Sequence, residues 1–309
     1  MLISKKNKLM KYILTAIIIA FSLSLSAQDD LMDMLEQEVS LDPKTEKVTA
    51  TFKDTRLILS NTIETTKHKT LAFNITHRFG NMKLGESEAF HTYMGLDNAA
   101  NIRFSFDYGL TKKLSIGIGR SKIQEHIDGN LKYRFLEQKK KGMPISAAYF
   151  VNAAISPVAK IPQDEFSNRW SYTHQLIIAS KITKGISLEV LPTFVHRNYV
   201  DQRSPNPENG SVDQNDLFAL GFAGRFKITK RMAFVIDYYL PFSEYRNSAN
   251  GYFDPFAVGI EIETGGHVFH VNISNSAGII ENDFIPNTTD AWHKGEYKLG
   301  FNISRVFSF

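Results

Sequence analysis

"NIRFSFDYGLTKKLSIGIGR", Asn101 to Arg120, decides how the rest of the chain is read. Ile102, Phe104, Phe106, Tyr108 and Leu110 alternate with Asn101, Arg103, Ser105, Asp107 and Gly109. Period two is the mark of a strand, because successive side chains point to opposite faces. "TKK" is short enough for a tight turn, and "LSIGIG" alternates again beyond it. One face of this hairpin is aromatic and aliphatic, and the other carries charge.

The pattern recurs in both directions. It appears in "LAFNITHRFG" (71–80), "IDGNLKYRF" (127–135), "PISAAYFVNAAI" (144–155), "WSYTHQLIIASKI" (170–182) and "ISLEVLPTF" (186–194). It continues in "DLFALGFAGRFKI" (216–228), "MAFVIDYYL" (232–240), "DPFAVGIEIE" (254–263), "HVFHVNIS" (267–274) and the terminal "YKLGFNISRVFSF" (297–309). That makes about twelve strands, most with the roughly 9–11 residues needed to cross a bilayer at a tilt. The 23 Phe and 12 Tyr suit such a chain.

The connections choose between two architectures that both alternate. Short ones ("TKK", "EQKKKG", "TKG", "TKR", "TGG") take turns with long ones (80–100, 120–126, 156–169, 199–214, 241–253 and 275–294). A soluble sandwich has no reason to gather its long loops on alternate connections. An up-and-down transmembrane barrel does, with turns on the periplasmic side and loops outside. The expected fold is therefore all-β: an up-and-down antiparallel transmembrane β-barrel of about 12 strands. A short N-terminal periplasmic or plug segment precedes it. A secreted β-sandwich binding protein is the soluble alternative.

In such a barrel the apolar face meets lipid and the polar face lines the lumen. The expected lumenal charges are Arg78, Arg103, Asp107, Lys132, Arg134, Glu189, Arg225, Asp237, Glu261 and Lys298, pairing across facing walls and filling the lumen without a hydrophobic core. Trp170, Tyr172, Tyr93, Tyr149, Tyr199, Tyr245, Tyr252 and Phe253 near the loops suit an interfacial girdle. Pro192 cannot donate to a ladder, which suggests a bulge. Arg305 falls on the lipid-facing parity, near the turn end where a charge can snorkel; a bulge near Val306 is the alternative.

The chain divides into residues 1–27, 28–69 and 70–309. Lys5, Lys6, Lys8 and Lys11 followed by "YILTAIIIAFSLSLSA" read as a cleaved signal peptide, and the protein is expected in the outer membrane after export through the inner membrane. Those four lysines account for the net positive charge: 32 basic residues remain against 32 acidic ones, so no nucleic-acid partner is expected. The absence of Cys excludes disulfides, thiolate metal sites and lipid attachment through a thiol. Residues 28–69 hold an acidic stretch, with a helix over 29–38 suited to a periplasmic partner. An apolar "TRLILSNT" follows, expected to enter or cap the barrel with Arg56 against a lumenal carboxylate.

"TFKDTRLILSNTIET", "LAFNITHRFG", "GLDNAANIRFSFDYGLTKKLSIGIGRS", "DGNLKYRFLEQ" and "GFNISRVFSF" resemble the outer-membrane β-barrel family catalogued as domain of unknown function 5777. The resemblance runs from about residue 46 to 309. It implies a signal peptide and an outer-membrane barrel, and it brings no known catalytic residues to carry over.

The sequence offers no G-x-S-x-G or H-E-x-x-H, and no catalytic, cofactor or metal residues are expected. His174 and His196 are the candidates for a lipid-acting barrel enzyme, the alternative reading of function. Asp201, Glu208, Asp213 and Asp216 are oxygen-rich enough to raise calcium. The leading reading is a pore, transport or structural component contacting outer-membrane lipid. Tyr297, Phe301, Phe307 and Phe309 form a terminal aromatic signal for barrel-assembly machinery.

Overall fold

In the computed structural model, which describes residues 46–83, 87–159 and 165–308, the stretch 101–120 forms two antiparallel strands joined by the turn 110–113. Twelve strands follow one another: β1 (Thr70–Asn81), β2 (Ala99–Gly109), β3 (Leu114–Ser121), β4 (Ile127–Leu136), β5 (Ser146–Ile155) and β6 (Trp170–Lys181). The second half is β7 (Ile186–Arg197), β8 (Asp216–Lys227), β9 (Met232–Phe242), β10 (Phe256–Thr264), β11 (His267–Ser274) and β12 (Lys298–Ser308). Each pairs antiparallel with its neighbours in sequence, and β12 returns to β1, closing an up-and-down barrel. Closure pairs every strand along both of its edges and leaves no edge in lipid. At the seam Thr70 faces Ser308 and Arg78 faces Gly300.

The two faces separate cleanly. Along β7, exposed and buried residues alternate from Ile186 to Thr193. Phe104, Phe106, Ile118, Tyr133, Leu188 and Phe222 are exposed, while Arg103, Ser105, Glu189 and Asp237 are buried. An apolar outside around a polar inside is the pattern of a barrel bathed in lipid.

Two expectations need correction, and one alternative falls away. The alternation of connection length breaks once: the β3–β4 loop spans 122–126, whereas the β4–β5 turn spans 137–145 and is longer. The longer turn receives the incoming chain, for Val48 N–H donates to Gln138 O at 2.8 Å and Lys47 bridges to Lys139. Pro192 causes no bulge. It stays in register with Leu220, and the β6–β7 ladder merely skips from Gln175–Thr193 to Ile178–Val190, where proline has no N–H to give. No bulge forms near Val306 either. Arg305 is exposed and lies over the Phe307 ring at 4.9 Å, its stem along the apolar band.

Before β1 the chain passes close to the β2 terminus. Lys69 N–H donates to Gly109 O at 2.9 Å. A Cβ on Gly109 would lie 2.0 Å from Lys67 O and 2.5 Å from Thr66 O. Both obstacles are backbone, so Gly109→Ala must displace residues 66–67. The expected cost is about 1–3 kcal/mol, visible as a smaller heat-modifiable fraction on a gel.

Candidate functional site: the barrel interior

Residues 51–66 thread the interior. The segment makes a tight hairpin: Thr62 N–H donates to Thr55 O at 3.0 Å and Leu57 N–H to Ser60 O at 2.9 Å. Its tip, Leu57 to Ser60, is buried. A turn away from water needs partners for its backbone groups, and the barrel wall supplies them. Asp237 on β9 accepts Ile58 N–H at 3.0 Å and Leu59 N–H at 3.2 Å. Arg78 on β1 donates to Ile58 O at 2.9 Å, and Asn302 on β12 donates to Leu57 O at 2.7 Å. Lys132 on β4 donates to three carbonyls of the hairpin's open end: Thr55 at 2.9 Å, Thr62 at 3.0 Å and Glu64 at 3.2 Å. Strands on different sides of the barrel thus hold one short segment.

The remaining charges settle as follows. Arg103 pairs with Asp128 at 2.6 Å, reaching past β3, where Gly119 leaves room; a Cβ there would sit 2.1 Å from the guanidinium. Asp107 accepts from Asn74 at 2.8 Å and from Asn130 at 3.3 Å. Arg134 meets Glu64 at 3.2 Å. Arg225 pairs with Glu261 at 2.7 Å, with His270 Nε2 at 3.4 Å from the same carboxylate. Glu189 is buried, with Ala179 and Ala223 as its cross-strand neighbours. Lys298 pairs with Asp290. These pairs join nearby strands, loops or the threaded segment. They do not span facing walls, because the hairpin lies between those walls.

The interior also has an apolar half, which the expectation of a lumen without a hydrophobic core left out. Phe150, Ile177, Leu191, Val195, Leu217 and Val235, all inward on β5–β9, cluster with Phe52, Leu57, Ile58, Leu59 and Ile63. The hairpin therefore has an oily side against β5–β9 and polar partners on β9, β12, β1 and β4.

The loop 275–297 also turns inward. It contains a short helix, α1 (Glu281–Asn287), with Glu281 to Pro286 buried. Phe284 packs against Tyr239 with ring centroids 5.0 Å apart. Arg56 reaches Glu281 at 3.1 Å, and Asn61 reaches the same oxygen at 2.8 Å. The carboxylate that meets Arg56 thus belongs to a loop and not to a strand. The apolar run Ile279, Ile280, Phe284, Ile285 was the available signal, since an outer loop left in water has no use for it.

Asp213 ties the loops above. It receives Arg246 at 2.6 Å and Arg197 at 3.1 Å, and Arg246 also reaches the Pro286 carbonyl. Asp201 pairs with Arg203 at 2.7 Å, and Asp216 lies 2.5 Å from His196 Nδ1. Three of the four carboxylates raised for calcium are thus engaged by basic side chains. His174 Nδ1 contacts Tyr149 Oη at 2.6 Å.

Burial alone would raise the Asp213 carboxyl; hydrogen bonds from Arg246 and Arg197 outweigh it and hold the group below the ordinary aspartate value. A depressed folded value means the contribution is complete above the unfolded value of about 3.9. It is lost as pH falls from there through the folded value. Limited proteolysis should accordingly leave loops 198–215 and 243–255 intact at neutral pH and begin to cut them below about pH 4.

At the terminus Tyr297 and Phe301 are half-buried and Phe307 is exposed, and Phe301 stacks on His77 at 5.3 Å. Phe309, the signal peptide and the 29–38 helix lie outside the described residues.

No curated protein matches the chain. Among solved structures, the NanC porin is 11% identical with a TM-score of 0.46, over 77% of this chain and 99% of that one. An outer membrane channel from Pseudomonas putida F1 is 12% identical with a TM-score of 0.47, over 79% of this chain and 98% of that one. The KdgM porin is 8% identical with a TM-score of 0.43, over 77% and 99%. The family described as "Membrane bound beta barrel domain (DUF5777)" matches residues 52–307. That span runs from within the threaded hairpin through β1–β11 and into β12, and the chain belongs to this family of membrane-bound β-barrels.

Proposed function

We propose that this barrel is an outer-membrane transport component held shut at rest by its own residues 51–66. The observation that carries the reading is the treatment of the hairpin tip. Asp237 takes its N–H groups, while Arg78 and Asn302 give to its carbonyls. A chance intrusion would leave some of these groups unmet, at about 1–3 kcal/mol each. The polar partners also suit a segment that can leave. Once it withdraws, Arg78, Lys132, Asp237 and Asn302 face water, as the wall of an aqueous path must.

In this reading the leader is removed on export. Barrel-assembly machinery reads Tyr297, Phe301, Phe307 and Phe309, and a periplasmic partner takes the acidic 29–38 stretch. The role is transport and not catalysis. Single-channel recording in planar bilayers, on the full chain and on a form with 51–66 replaced by a flexible linker, tests it.

A further inference from the structure

Three of the tight turns are copies of one another. "LTKK" (110–113), "ITKG" (182–185) and "ITKR" (228–231) share an aliphatic residue, a threonine and a lysine in that order. Their geometry repeats too. Thr111 Oγ1 accepts the N–H of Lys113 at 3.1 Å and of Leu114 at 3.0 Å. Thr183 Oγ1 accepts the N–H of Gly185 and of Ile186, each at 3.1 Å. Thr229 Oγ1 accepts the N–H of Arg231 at 3.3 Å and of Met232 at 3.1 Å. A threonine closing a turn on its own backbone is ordinary local chemistry. What needs a reason is the company it keeps.

Leu110, Ile182 and Ile228 are 40%, 59% and 58% exposed. Each continues the outward parity of its strand: after Phe106 and Tyr108 on β2, after Ile178 and Ser180 on β6, after Phe222 and Phe226 on β8. They are the last step of the lipid-facing band. Two residues further, Lys112, Lys184 and Lys230 are exposed at the tips. The sequence of the motif thus runs from hydrocarbon to headgroup level. Within the turns themselves charge is one-sided. The five turns carry eight Lys or Arg residues against one acid, Glu137, which is itself paired with Lys47.

We infer that these three turns bind the headgroups of anionic phospholipid in the leaflet on the turn side. The aliphatic residue enters the acyl region, the threonine fixes the turn, and the lysine meets the phosphate. The occupant follows from continuity with the lipid-contacting band and from charge complementarity. Basic residues at such a surface are attracted to anionic lipid, and the attraction is screened by salt. The site does not depend on whether the hairpin gates the barrel.

The full chain is reconstituted in nanodiscs of phosphatidylcholine and phosphatidylglycerol. Phosphatidylglycerol retained after mild detergent extraction is then quantified against phosphatidylcholine by mass spectrometry. The native chain should retain phosphatidylglycerol at least about threefold above its share of the disc, less so at high salt. Lys112→Gln/Lys184→Gln/Lys230→Gln should fall to that share, and the matching triple Lys→Arg variant should keep the enrichment. Removing three cations at the loop end, Lys122→Gln/Arg203→Gln/Lys294→Gln, should change nothing. Heat-modifiable mobility confirms that each variant is folded. The inference is overturned if the native chain retains lipid in bulk proportion, if the glutamine triple keeps its enrichment, or if the loop-end variant loses as much. Bulk-proportion lipid alongside a bound acidic protein would assign the turns to a protein partner and overturn it equally.

Discussion

Replacing residues 51–66 with a flexible linker should turn a closed barrel into one that shows discrete conducting steps in planar bilayers, at least several-fold above the full chain. The hairpin fills the space between β9 on one side and β12, β1 and β4 on another, so its loss empties the region it spans. The open path should run along the polar wall. The apolar side keeps Tyr239 and Phe284, which pack on each other without the hairpin. Val48 stays tied to Gln138, so the linker remains anchored at the turn end.

Asp237→Ala should release the hairpin without unmaking the barrel. The wild-type carboxylate accepts two buried N–H groups, and a bond to a charged acceptor contributes about 1.5–3 kcal/mol. Against this stands the cost of burying the carboxylate itself, which alanine removes. Arg78, held at the same tip, offsets part of that cost. The net loss should be about 2–3 kcal/mol, raising the released population roughly 30- to 150-fold. Asp237→Asn keeps an oxygen that can accept both N–H groups and should do much less. Brief openings in bilayer recordings, frequent for the alanine variant and rare for the asparagine variant, are the readout. β9 keeps its ladder in both, and heat-modifiable mobility should be unchanged.

The wall was legible because strand faces follow from local spacing. Ile102, Phe104 and Phe106 declare one side of β2, and "TKK" marks its end. The inward set containing Arg78, Arg103 and Glu189 came from the same spacing. The apolar "TRLILSNT" pointed to an inserted segment, but its partners and the oily half of the interior were hidden, for two physical reasons. On β5–β9 both faces carry apolar residues, as with Ile177 inside beside Ile178 outside, so alternation could not show an oily lumen there. The hairpin's partners are remote in sequence. Arg56 meets Glu281 across 225 positions, and no local pattern marks such a contact. The length of the 137–145 turn is likewise set by a visitor, Val48, and not by its own residues.

The native chain has no cysteine, so one introduced thiol reports one place. Ser60 at the hairpin tip is fully buried, and Lys184 in a tight turn is exposed. The rates at which a membrane-impermeant maleimide labels Ser60→Cys and Lys184→Cys, in the assembled protein with both faces accessible, test the occupied lumen most directly. Ser60→Cys should react at least about a hundredfold more slowly, the factor set by roughly 3 kcal/mol of local opening. Asp237→Ala should remove most of that protection. Equal labelling of the two single-cysteine proteins would contradict the account.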